Sequence, residues 1–70
     1  MILTTEQQAN NVAIYAMEVD PILENLNREA LVAGLMVQVA SIMGQHTFEE
    51  KRLESIVRLA IDNYYGPEVE

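Results

Sequence analysis

His46 is the single histidine, and it opens the run His46, Thr47, Phe48, Glu49, Glu50. An imidazole beside two carboxylates is as near as this chain comes to a metal-ligand set. A real site needs three or four ligands in fixed geometry, and neither a cysteine nor a second histidine is present. Only an oligomer pooling His46 from several copies would assemble one, so we expect no metal site and no cofactor. Nucleophilic catalysis needs a nucleophile, a base and an orienting group. Ser41 lies inside an apolar run and Ser55 on a polar helix face, neither at suggestive spacing from His46. The three glycines are isolated, so no phosphate-cradling loop exists. Glu49, Glu50 and Glu54 read as a solvated charged face. The chain is not expected to be an enzyme.

Charge narrows the partners further. Eleven acidic residues face four basic ones, for a net charge of −7 over 70 residues. Residues 1–27 carry Glu6, Glu18, Asp20 and Glu24 and no cation, while Arg28, Lys51, Arg52 and Arg58 each lie within four residues of an acid. Phosphate backbones and anionic lipid surfaces are bound through clustered basic faces. None occurs here, which argues against direct nucleic-acid binding and against a membrane partner. The most hydrophobic run, residues 30–43, is uncharged over fourteen residues, short of the roughly 20 needed to span a bilayer. The amino terminus lacks a basic, signal-like region. A cytoplasmic protein is the expectation.

The elements that would position these residues are helical throughout. Thr4 or Thr5 can cap a first helix, with Gln7 or Gln8 completing a capping box. Ala9, Val12, Ala13, Ala16 and Met17 then form one apolar stripe, and Asp20 before Pro21 closes the segment. Asp20 as N-cap and Pro21 at the first position suit a second helix ending at Gly44. Asn25 and Asn27 offer a restart near residue 28, and a kinked continuous helix is a further alternative. Thr47, Phe48, Glu49, Glu50 reads as a capping box for a third helix, with Leu53, Ile56, Val57, Ala60 and Tyr64 as its stripe and Ile61 beside it. Gly66 and Pro67 stop it. The expected architecture is a single all-α domain over residues 1–70, with helices over about 5–19, 21–43 and 48–65 and a flexible acidic tail over 66–70.

The second helix has two apolar faces. At about 100° per residue, Ile22, Leu26, Ala30, Ala33, Val37 and Ala40 share one arc. Leu31, Val32, Leu35, Met36, Val39, Ile42 and Met43 share a broader one. A helix hydrophobic all round must be covered all round, and two other helices cannot cover it. A 70-residue chain hides only about 60% of its unfolded surface, and a single core of that size supplies roughly 3–5 kcal/mol. The expectation is a symmetric helical-bundle homodimer or higher oligomer. Its interface would comprise Leu31, Val32, Leu35, Met36, Val39, Ile42 and Met43, joined by Phe48 and Leu59 from the third helix.

The chain is similar to acyl carrier proteins in being short, acidic and helical. Their Asp-Ser-Leu attachment motif has no counterpart, because Ser41 stands in Val39-Ala40-Ser41-Ile42-Met43. The functional expectation is therefore a small acidic protein-interaction module, an adaptor, regulator or inhibitor, that binds itself and another protein. Tyr15, Glu18 and Tyr65 are the expected partner-binding residues, since tyrosines are enriched in interfaces. One alternative is a phage or mobile-element antagonist of a host nucleic-acid-binding or defence protein. Another is a small-molecule binder whose ligand sits between subunits, lined by Met36, Gln38, Val39, Ile42 and Met43.

Overall fold

The computed structural model describes residues 2–67. Helix α1 spans Thr5–Val19 and begins with the expected reciprocal cap. The Gln7 amide donates to Thr4 Oγ1 (3.1 Å), and the Thr4 amide donates to Gln7 Oε1 (2.8 Å). Two of the donors left over at a helix start are thereby satisfied. Ala9, Ala13, Ala16 and Met17 are buried, with Val12 half-buried beside them.

The chain then departs from the expected second helix. A 3₁₀ turn occupies Pro21–Asn25, Leu26 is extended, and α2 runs over Arg28–Met43. Asp20 accepts a hydrogen bond from the Ile22 amide (3.3 Å), and Asn27 Oδ1 accepts from the Ala30 amide (2.9 Å), each capping its own element. The reason for the break is Leu23. On a continuous helix its side chain would lie about 135° from the buried face of α2, pointing to water. The short turn brings it inward, where it is 8% exposed.

Gly44 ends α2 with φ of +102°, a backbone region open to glycine. Thr47 does not cap the third helix as expected. Its hydroxyl donates to the Met43 carbonyl (2.6 Å), closing the end of α2 instead. Helix α3 therefore starts late, over Glu50–Tyr65, with Glu49 at its N-cap and no side-chain cap. Leu53, Val57, Ala60 and Ile61 are its buried residues, so Ile61 rather than Tyr64 continues the inward stripe. Gly66 stops it with φ of +93°.

The three helices run up, down and up, without a strand among the described residues. Arg52 pairs with Glu6 where α1 and α3 begin. At the other end Arg28 of α2 meets Asp62 and Gly66 of α3. Between these, Arg58 reaches Glu54 one turn back (2.8 Å) and Glu29 of α2 (3.3 Å). Those hydrogen bonds, Glu54's first, raise the Arg58 pKa above its ordinary value. Helices α1 and α3 pair most extensively, because Ala9, Ala13 and Ala16 let the backbones come close. The radius of gyration, 11.5 Å, is near the ~11 Å of a folded chain this long. The helical core therefore closes within one chain. The expected 66–70 tail begins with Gly66 and Pro67; Glu68, Val69 and Glu70 lie outside the described residues.

Candidate interaction surfaces

The groups with chemical potential are dispersed. His46 is exposed in the 44–49 connection, and among the described residues no three metal-binding side chains lie together. Ser41 is exposed on the outer side of α2, and Ser55 donates to the Lys51 carbonyl (3.1 Å) on the outer side of α3.

Helix α2 does not use its two apolar arcs as expected. Leu31, Val32, Leu35 and Val39 are buried inside the chain, Leu35 and Val39 completely. They form this chain's own core, so they are no part of a face that the fold presents. The larger side chains turned inward because burial free energy scales with apolar area. Met36, Met43 and Phe48 are half-buried against that core. Ile42 remains exposed, in an open groove with Gln8, Asn11 and Val12 of α1. The small arc is what faces outward: Ala30, Ala33, Val37 and Ser41 are exposed, with Gly34 and Ala40 partly so.

Phe48 and Leu59, expected together, lie in different places. Phe48 lines a groove of about 320 Å³ with Met36, Val37, Ala40 and Leu53, flanking the exposed side of α2. Leu59 lines a groove of about 590 Å³ between α1 and α3, among the carboxamides of Gln7, Asn10, Asn11 and Asn63. A ligand site lined by Val39 is likewise not presented by this fold, since that residue is inaccessible.

The expected partner-binding residues also separate. Tyr15 and Glu18 are exposed on the last turns of α1. Tyr65 packs against the core, its ring edge-on to Tyr64 at 4.9 Å, and its hydroxyl is fully covered, without a hydrogen-bond partner among the described residues. Burial raises the Tyr65 pKa, with smaller contributions from Tyr64, Glu24 and Asp20. Tyr64 is the exposed member of the pair. Val19 has no place in the expected stripes, and the expected arc of the second helix includes Ile22 and Leu26; all three are exposed, at the end of α1 and around the 3₁₀ turn. The 3₁₀ turn over Pro21–Asn25 takes Ile22 off the arc of the second helix, and the extended Leu26 lies before α2 begins.

Electrostatics at that end are one-sided. The arginines pair with Asp62, Glu6, Glu29 and Glu54. Among the described residues no ion pair engages Glu18, Asp20 or Glu24. No helix among the described residues is long and apolar enough to cross a membrane. No family model, curated protein or solved structure matches the chain.

Proposed function

We propose that the protein is a non-enzymatic interaction module that works as a homodimer through the outer side of α2 and binds another protein elsewhere on its surface. One observation carries the reading. Between residues 30 and 43 α2 has no charged side chain, yet Ala30, Ala33, Val37 and Ser41 are exposed. Small side chains in that register admit a second helix at close range. A stable interface covers about 800 Å² per partner, more than one stripe. The groove lined by Met36, Ala40 and Phe48 widens it on one side, and Gln38 and Ile42 border it on the other.

Sedimentation across micromolar concentrations tests this. The expected particle has twice the chain mass of 7.9 kDa. Val37→Glu should return it to monomer with unchanged helical circular dichroism, because Val37 is 66% exposed in the single chain. A wild-type particle that stays at the mass of one chain throughout overturns the dimer.

A further inference from the structure

We propose that the end of the bundle formed by the last turns of α1 and the 3₁₀ turn is a docking surface for a basic, amphipathic segment of another protein. This rests on the interaction-module reading but not on self-association. Four large apolar side chains stand in water within twelve residues: Tyr15 (66% exposed), Val19 (59%), Ile22 (71%) and Leu26 (42%). Glu18, Asp20 and Glu24 are interleaved with them.

Asp20 caps the 3₁₀ turn through the Ile22 amide, but no ion pair among the described residues engages the acids at this end. Glu6, Glu29, Glu54 and Asp62 each have an arginine, whereas these three acids have none among the described residues. Glu18 sits in the last turn of α1, which contains no basic residue. A helix C-terminus carries partial negative charge, so an acid there opposes helix formation and a cation relieves it. Arg28, the nearby cation, has a side chain only 19% exposed and is held by Asp62 and the Gly66 carbonyl. Exposed apolar side chains interleaved with carboxylates that have no ion-pair partner are complementary to large apolar residues interleaved with lysine or arginine.

The same charge argues against other occupants. A second copy would bring Glu18, Asp20 and Glu24 against themselves, and nucleic acid or an anionic lipid surface would be repelled outright.

The experiment uses the full chain and three labelled peptides of equal length: a leucine/lysine amphipathic helix, its leucine/glutamate counterpart, and a lysine/serine peptide with no large apolar residue. Amide shifts and fluorescence anisotropy report binding. The leucine/lysine peptide should bind, shift amides of residues 15–26, and weaken several-fold as salt rises from about 20 to about 150 mM. Glu18→Lys combined with Glu24→Lys should weaken it about tenfold, and Ile22→Ser by a similar factor. These side chains are exposed, so circular dichroism should not change. Equal binding of either control peptide overturns the proposal, as do unaffected affinity in the variants and shifts that map to residues 33–42. Shifts at residues 15–26 on dilution of the protein alone would assign the surface to a second copy and overturn it as well. Repeating the titration with Val37→Glu separates the two ideas: peptide binding by a monomer leaves this surface standing if the dimer fails. A persisting dimer that ignores the peptide removes only the docking surface.

Discussion

Arg28, in the first turn of α2, clamps the end of α3: its guanidinium donates to Asp62 Oδ1 at 3.1 Å and to the Gly66 carbonyl at 3.2 Å. A cation at a helix N-terminus opposes the helix dipole, while a cation at a C-terminus complements it. Helix α3 has no basic residue in its own last turn, and Arg28 supplies that charge from the neighbouring helix. It also ties together two segments 38 residues apart in the chain.

Arg28→Ala should therefore destabilise the fold by about 1–2 kcal/mol, the scale of a charge-assisted pair with partial solvent exposure. Asp62→Asn should cost less, because the Gly66 contact survives. Arg28→Lys should recover only part, since an ammonium cannot span both acceptors as the planar fork does. Urea midpoints of the three variants check the order. A neutral Arg28→Ala would show that the clamp contributes nothing.

The break before α2 makes an opposite prediction for two adjacent residues. Leu23 is 8% exposed and Ile22 71%. Leu23→Ala should cost about 2–3 kcal/mol, as for a buried leucine, and Ile22→Ala less than about 0.5 kcal/mol. Asn27→Ala should remove about 1 kcal/mol of capping. Chemical denaturation of these variants separates the 3₁₀ turn from a continuous helix, in which Leu23 would point outward.

These residues also show what could be read from the chain alone. The Thr4 and Gln7 cap, the α1 stripe and the glycine stops depend on neighbours within four or five positions, so spacing reveals them. The start of α2 does not, because Asp20 and Asn27 are both competent caps. The choice between them is made by Leu23 entering a core that other helices complete. Thr47 is the same case: its hydroxyl has a helix start on one side and the Met43 carbonyl on the other. The assignment of arcs on α2 was equally open, because the helix is apolar nearly all round. Only the stripes on α1 and α3 decide which side turns in. Tyr64 and Tyr65 differ by one position at a helix end, where a small rotation exchanges cover for exposure.

Two glycines should respond in opposite directions to alanine. Gly44 has φ of +102°, and a Cβ there would lie 3.2 Å from Thr47 Oγ1, the atom that closes α2. Gly44→Ala should cost about 1–3 kcal/mol from backbone strain alone. Gly34 lies inside α2, where a Cβ would meet nothing within 4 Å. Gly34→Ala should raise stability by about 0.5–1 kcal/mol through helix propensity. Thermal melts of both variants check the pair of signs. If Gly34→Ala also weakens self-association at unchanged fold, the close approach at α2 depends on that missing side chain.

Tyr65 gives the fold a sensitivity to alkali. Burial, and then Tyr64, Glu24 and Asp20, raise its pKa above the ordinary 10.0. The folded state therefore holds the phenolic proton more tightly than the unfolded state does. The associated stability is complete below about pH 10 and is lost as pH rises through the folded-state value. Its hydroxyl is also covered and unpartnered among the described residues, so it contributes a desolvation cost with no hydrogen bond from them in return. Tyr65→Phe should keep the ring packing, remove that cost and stabilise the protein by up to about 1–2 kcal/mol at neutral pH. It should also flatten the decline above pH 10, whereas Tyr64→Phe should not stabilise the protein at neutral pH, since Tyr64 is 40% exposed. Urea melts of the three proteins at neutral pH and above pH 10 read both effects. A Tyr65→Phe variant less stable than wild type at neutral pH would mean that the hydroxyl has a bonding partner in solution.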